Sequence, residues 1–196
     1  VSFVPNFVSL YDEGVGDEGL YSELTPPKSS GERWIGVAPF AKHKGKIYPL
    51  DRMEKVVSKL SEESRVKIFL FGSGDREREI LSLWRERYPG VISLADKRYG
   101  FAVELSLMSR LDVMISMDSA NMHLASLVEV PVVSVWGATH PYCGFLGWRQ
   151  SDSGVVELPL DCRPCSVFGN KPCYRKDYAC LEIAPETIVA VSYTHL

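Results

Sequence analysis

The chain has 196 residues, of which 45% are hydrophobic and 24% are charged, a composition typical of a globular protein. Its formal net charge of −3 gives no overall attraction to nucleic acid or to an anionic membrane, so any anion site must be local. No apolar run approaches the roughly 20 residues of a membrane span, and no signal peptide is visible.

The sequence predicts one main domain between two atypical ends. Residues 1–31 are rich in turn-forming residues, and we expect a linker and the remnant of a missing N-terminal domain there. Residues 191–196 resemble a translated sequencing-adapter tail, and we expect them to be non-native. The domain is therefore predicted to cover residues 32–190, with a cysteine-rich segment at 160–182.

From Trp34 onward, short apolar runs alternate with segments of helical periodicity. Strands are predicted at 34–38, 66–71, 91–94, 113–117 and 132–136. Helices are predicted at 50–60, around Ile80 to Trp84, at 101–109 and at 122–128. Apolar strands that alternate with helices predict an α/β fold, a Rossmann-like parallel sheet with helices on both faces.

A basic loop connects the first predicted strand to the first predicted helix. It carries Lys42, His43, Lys44 and Lys46 at the expected carboxyl edge of the sheet. Such crowded cations are stabilised by an anion, and lysine binds phosphate oxygens as a mobile point charge. We therefore expect Lys44 and Lys46 to bind a diphosphate, with a solvated basic loop as the alternative. The loop lacks the glycine and Lys-Ser/Thr spacing of a Walker motif.

The motif after the strand at 113–117 is the most informative. Asp118 and Ser119 stand where a strand ends and a helix begins, and ligands bind at this edge of α/β sheets. Free N–H groups at a helix start favour a phosphate, and a carboxylate beside them can bind ribose or sugar hydroxyls. We expect a nucleotide-sugar site at Asp118, Ser119 and Ala120. Alternatively, Asp118 caps the helix, and His123 is either a ligand contact or a core histidine.

Two further turns are expected at the same edge. The glycine-rich turn at 72–74 allows close backbone approach, and Asp75 or Glu77 after it is a candidate for binding ribose hydroxyls. An acidic first helical turn explains the same residues equally well. Thr139 and His140 follow the fifth predicted strand and are candidate ligand contacts, although a strand-ending turn also accounts for them.

Four of the five cysteines lie in the cysteine-rich segment, at Cys162, Cys165, Cys173 and Cys180. The first two have the spacing of a zinc knuckle, but the second pair does not match it. Structural zinc, disulfides and free thiols remain open. Interleaved aromatic and basic residues at 174–178 suggest a nucleic-acid-binding module, against which the acidic overall charge argues. No Asp-x-Asp motif is present to hold a metal on a diphosphate.

In this order, the motifs resemble glycosyltransferase family 9, the lipopolysaccharide heptosyltransferase-like enzymes. The resemblance covers about residues 33–190. It rests on a strand–loop–Lys-x-Trp-Pro segment, an Asp-Ser/Thr-Gly-x-x-His-Leu-Ala motif, a Gly-Pro/Ala-Thr turn and a Cys-x-Pro-Cys element. The matching segments are Gly36–Ala41 with Lys46–Pro49, Asp118–Ala125, Gly137–Thr139 and Cys162–Cys165. Tyr48 stands where the family usually has Trp, and Ala120 where it usually has Gly.

The resemblance implies the C-terminal half of a two-domain GT-B enzyme, an inverting glycosyltransferase that needs no metal. Lys46 would hold the diphosphate together with the N–H groups of Ser119 and Ala120. Asp118 would bind sugar or ribose hydroxyls, and His123 would support the phosphate site. The general base would lie in the missing N-terminal domain.

The resemblance further implies ADP-heptose as donor and a glycolipid or oligosaccharide of the cell envelope as acceptor. Such an enzyme would act in the cytoplasm, at the inner membrane face, without a nucleic-acid partner. The competing hypotheses are a sugar-nucleotide epimerase of GT-B fold and a non-enzymatic, zinc-stabilised binding module.

Overall fold

The computed structural model describes residues 17–196, and a six-stranded parallel sheet forms their centre. The strand order is β3-β2-β1-β4-β5-β6, and every neighbouring pair is parallel. The strands are β1 (Arg33–Ala38), β2 (Val66–Leu70), β3 (Val91–Ser93), β4 (Val113–Met117), β5 (Val132–Trp136) and β6 (Val155–Glu157). The predicted parallel α/β sheet is confirmed.

Within the described residues, four of the helices connect successive strands from β1 to β5, one helix precedes β1 and one follows β6, and 3-10 turns occur in the loops. The α-helices are α1 (Glu18–Tyr21), α2 (Leu50–Ser61), α3 (Asp75–Arg87), α4 (Phe101–Met108), α5 (Ala120–Leu127) and α6 (Pro185–Tyr193). No helix in the described residues has the length and apolar composition that a membrane crossing requires.

Buried clusters cover both faces of the sheet because side chains alternate along each strand. In β1, Ile35 and Val37 belong to the cluster that packs against α2, α3 and α6. Trp34 and Ala38 belong to the cluster that packs against α1, α4 and α5. Burying each large apolar side chain contributes about 1.5–3 kcal/mol, so both helical layers stabilise the sheet.

The fold includes two elements that the sequence patterns did not predict. β6 has three residues, too few for a periodic signal. α1 lies within the predicted linker, and Tyr21 is buried against Trp34 with ring centroids 5.9 Å apart. The proposed boundary at residue 31 stays a prediction, and residues 1–16 lie outside the described part of the chain. α6 extends through the start of the predicted tail at 191–196.

The topology explains where a ligand fits. β1 lies between β2 and β4, so the strand order reverses beside it. In open α/β sheets this reversal leaves a crevice at the carboxyl ends of the strands, and ligands bind there. The loop after Ala38 and the motif that begins at Asp118 both start at this crevice.

Candidate functional site

A cavity of about 680 Å³ opens at the carboxyl ends of β1, β2 and β4. Its walls come from the loops after these strands and from the helices α4 and α5. Five of the residues predicted to bind a ligand line it together, namely Lys46, Asp118, Ser119, Ala120 and His123. The topology therefore assembles these residues at one site, as expected for the carboxyl edge of parallel strands.

An ion pair lies at the base of the cavity. Lys46 Nζ is 2.8 Å from Asp118 Oδ2, and Asp118 is only 4% exposed. The same carboxylate oxygen accepts a hydrogen bond from Thr139 Oγ1 at 2.8 Å. Asp118 is thus held by contacts with the loops after β1 and β5.

The start of α5 is available to an anion. Ser119 is the N-cap residue in extended conformation, and its side chain makes no capping hydrogen bond. Its hydroxyl lies 3.2 Å from that of Ser116 instead. Asp118 instead contacts Lys46 and Thr139. It therefore does not cap α5, which was the alternative interpretation. The first N–H groups of a helix have no intrahelical partner and favour a negatively charged ligand.

The backbone holds Lys46 against the loop after β5. Lys46 ends a 3-10 turn, and the carbonyl of Gly45 in that turn accepts a hydrogen bond from Ala138 N at 2.8 Å. Gly169 packs behind the Lys46 side chain, because a Cβ there would lie 2.7 Å from Lys46 Cγ. The cysteine-rich segment therefore supports the lysine from behind.

Arg163 attaches the cysteine-rich segment to the site. Its side chain is 2% exposed and donates hydrogen bonds to the carbonyls of Gly137, Leu158 and Thr139. It also forms an ion pair with Glu157 at 2.8 Å. Since Thr139 is the residue that donates to Asp118, this arginine positions the loop behind the ion pair.

Three of the predicted binding residues do not line the cavity. Lys44 Nζ lies over the ring of Tyr178, 5.1 Å from its centroid. The Asp75 side chain is 96% exposed and pairs with Arg78 at 3.0 Å. Thr139 is buried behind Asp118 and touches the cavity only through it. Their binding roles stay predictions, and the structure gives each of them another partner.

His140, an open candidate from the sequence, also has protein partners. Its Nδ1 accepts a hydrogen bond from Tyr142 N, and its Nε2 lies 3.3 Å from Glu157. Within residues 17–196, by contrast, His123 lines the cavity without any hydrogen bond. His123 is partly exposed and does not belong to the buried core, and its role as a ligand contact stays a prediction.

Two residues of the predicted loops line the cavity in place of their neighbours, and one further cavity residue, Glu104, was not predicted. Lys42 and Glu77 line the cavity where Lys44 and Asp75 do not, and Glu77 accepts a hydrogen bond from Ser73 N at 2.7 Å. Glu104 also lines it and is the sole charged residue of α4. A single acidic residue in an otherwise uncharged helix was the signal that could have identified Glu104.

The four cysteines of the segment are free thiols in the structure. Among the described residues, no three His, Cys, Asp or Glu side chains are arranged to hold a metal ion, so the zinc interpretation is not supported. Burial raises the pKa of the Cys180 thiol to about 11 and raises the pKa of Cys165 as well. Thiols with raised pKa values stay protonated near neutral pH.

Comparison with known structures defines the class of fold. E. coli ADP-heptose lipopolysaccharide heptosyltransferase II superimposes with a TM-score of 0.67 and 19% identity, over 91% of this chain and 51% of that one. The E. coli heptosyltransferase WaaC with ADP gives a TM-score of 0.62 and 17% identity, over 90% and 48% of the two chains. The fold is that of a Rossmann-like domain of a GT-B glycosyltransferase.

Sequence comparison then gives the family. The model of glycosyltransferase family 9 (heptosyltransferase) matches residues 17–173, and the chain belongs to this family. Lipooligosaccharide heptosyltransferase 2 of Campylobacter jejuni is 26% identical over 164 residues, which make up 82% of this chain and 50% of the relative. The chain spans about half the length of the curated relatives it matches.

Proposed function

We propose that this chain forms the donor-binding half of an inverting glycosyltransferase that transfers heptose from ADP-heptose to a lipopolysaccharide or related envelope glycan. One observation carries the proposal: a lysine–aspartate pair and an uncapped helix start meet in one cavity at the switch point of the sheet. The similar proteins are heptosyltransferases, and one of them was solved with ADP, which supports the choice of donor.

Lys46 and the start of α5 bind the diphosphate in this proposal. The ammonium has three donors, of which Asp118 takes one, so phosphate oxygens can accept the others. Lys42, in the same wall, adds a second cation. These groups also stabilise the charge that develops on the leaving nucleotide when the bond to the sugar breaks. The helix start contributes about 0.3–1 kcal/mol, and a lysine in a closed cleft contributes more.

Carboxylates bind the hydroxyls of the donor. Asp118 Oδ1 has no hydrogen-bond partner among the described residues, which leaves it free to accept from a sugar or ribose hydroxyl. Glu77 lies beside the glycine-rich turn and is the second candidate for the ribose. His123 supports the phosphate site from the next turn of α5.

The transfer requires a general base for the acceptor. In an inverting transfer, a carboxylate removes the proton from the acceptor hydroxyl as that oxygen attacks C1 and the nucleotide departs. The resemblance to glycosyltransferase family 9 favours a base in an N-terminal half, and the chain spans about half the length of its curated relatives. The complete enzyme would work at the cytoplasmic face of the inner membrane, where the acceptor glycolipid is assembled.

Titration calorimetry of this chain with ADP, UDP and GDP tests the proposal. We expect selective binding of ADP and ADP-heptose, with no release of nucleotide when an acceptor is added. Adding the N-terminal half of a relative is expected to produce acceptor-dependent release. Selective binding of UDP or GDP, or turnover of the nucleotide sugar without acceptor, would contradict the proposal.

A further inference from the structure

Glu104 is a carboxyl group in the cavity wall that has no partner among residues 17–196. It lies in the first turns of α4, and the other seven residues of this helix are uncharged. Among the described residues, its side chain makes no hydrogen bond and no ion pair. Burial raises the pKa of Glu104, and no cationic side chain contributes to offset that burial.

The surroundings of Glu104 limit what it can bind. Phe101, one helical turn before Glu104 in α4, lines the same cavity, as do Leu124 and Phe145, so the cavity offers apolar and aromatic side chains as well as the carboxyl. An unpaired, partly buried carboxyl is costly to keep unless a ligand supplies a donor. A carboxylate repels the diphosphate, which leaves the hydroxyls and the nucleobase as sources of donors.

The nucleobase suits this position better than the sugars. Asp118 and Glu77 line the same cavity from other elements of the fold, and both are candidates for the hydroxyls. A planar aromatic base packs well against phenylalanine and leucine side chains, and an exocyclic amino group on that base is a hydrogen-bond donor. Binding sites of this kind combine an apolar wall with few, well-placed polar groups.

We propose that Glu104 accepts a hydrogen bond from the exocyclic amino group of the donor's nucleobase and thereby selects an amino-bearing base such as adenine. The proposal rests on the proposed function, since it assumes a nucleotide in this cavity. Glu104 is a specificity-determining residue in this account, whereas Lys46 and the start of α5 supply the contacts common to all nucleoside diphosphates.

Two ligands that differ by the amino group alone test this role. Calorimetry compares ADP with purine riboside 5′-diphosphate, which lacks the amino group, on the wild-type chain and on the Glu104→Leu and Glu104→Gln variants. A hydrogen bond to a charged group gives the wild type a preference for ADP of about tenfold or more. Glu104→Leu is expected to bind both ligands equally, and Glu104→Gln to keep part of the preference through its amide oxygen. Glu79→Leu, which changes an exposed glutamate of α3, is the matched control.

The outcomes separate this proposal from the proposed function. If Glu104→Leu keeps the wild-type preference for ADP over the purine riboside diphosphate, Glu104 does not read the base. If Glu104→Leu instead loses a preference for ADP over 2′-deoxy-ADP, it reads the ribose, and the proposal is overturned. If the wild type binds no nucleotide, the proposed function fails and this inference fails with it. Thermal unfolding of each variant shows that it is folded.

Discussion

Lys46 and Asp118, which lie in different loops of the sequence, form a 2.8 Å ion pair at the base of the cavity. Lys46 follows β1 and Asp118 follows β4, and these strands are neighbours in the sheet. The pair therefore sits at the point where the strand order reverses. It holds a cation in the lining of the cavity proposed to bind the diphosphate.

The ion pair is expected to stabilise the fold as well as the site. Lys46→Met leaves the buried Asp118 carboxylate without its counter-charge and should lower the free energy of unfolding by about 3 kcal/mol. The double variant Lys46→Met/Asp118→Asn removes both charges and should recover most of that loss. Urea unfolding of the wild type, both single variants and the double variant measures the coupling directly. Strictly additive effects would show that the two side chains do not interact.

Arg163 should be essential for the packing of the cysteine-rich segment. Arg163→Met leaves three backbone carbonyls and Glu157 without their donor, and loss of a buried charged partner costs about 3–5 kcal/mol. Arg163→Lys should recover little, because an ammonium cannot reproduce the planar fork of the guanidinium. Thermal unfolding tests this, with Arg149→Met at an exposed ion pair as control. Equal melting temperatures for the two methionine variants would refute the role given to Arg163.

Gly169 is predicted to position Lys46. Gly169→Ala places a methyl group 2.7 Å from Lys46 Cγ and so displaces the lysine side chain. Gly144→Ala is the matched control, because Gly144 also has a positive φ but a Cβ there meets no atom within 4 Å. In both variants an alanine must adopt a positive φ, which lowers the free energy of unfolding by about 1 kcal/mol. Only Gly169→Ala should weaken ADP binding, by about tenfold, and a similar loss in both variants would argue against a specific contact.

Stability should fall at alkaline pH, partly because of Tyr48. Burial raises the pKa of Tyr48 from 10.0 to about 12, and its hydroxyl donates to the carbonyl of Ile183 at 2.7 Å. A raised pKa in the folded state gives stability that is complete below pH 10 and is lost as the pH rises through 12. Burial of Cys180 acts in the same direction between pH 9 and about pH 11.

Tyr48→Phe separates the contribution of the phenol from that of Cys180. At pH 7 it should cost about 1 kcal/mol, since Arg52 still donates to the Ile183 carbonyl. Between pH 10 and pH 12 its unfolding free energy should decline less steeply than that of the wild type. Guanidinium unfolding at each pH measures both effects, and parallel curves for the two proteins would exclude Tyr48 as the titrating group.

The architecture and the centre of the site follow from local sequence patterns. Five of the six strands are short, mainly apolar runs in a sheet that helices cover on both faces, so the local pattern of apolar residues predicts them. Because the carboxyl ends of parallel strands share one edge, residues after two different strands, such as Lys46 and Asp118, could be expected to meet. Their partner Thr139 was also predicted near this edge, although its place behind Asp118 was not.

The directions of side chains within the loops could not be predicted from the sequence. Lys44 and Lys46 bracket one 3-10 turn, yet Lys44 lies over Tyr178 and Lys46 lines the cavity. The difference depends on the cysteine-rich segment, which is distant in sequence. The contacts of Arg163 and the exposure of Glu104 to the cavity likewise depend on tertiary packing, which periodicity does not reveal.

The most direct test of the donor site is calorimetric titration with ADP of the wild type, Lys46→Ala and Lys44→Ala. These variants remove the same charge from the same loop, but only Lys46 lines the cavity. We predict that the wild type and Lys44→Ala bind ADP with similar affinity and that Lys46→Ala binds at least tenfold more weakly, as expected for loss of a charge-assisted hydrogen bond of about 1.5–3 kcal/mol. Unchanged binding by Lys46→Ala, or equal losses in both variants, would contradict a diphosphate site at Lys46.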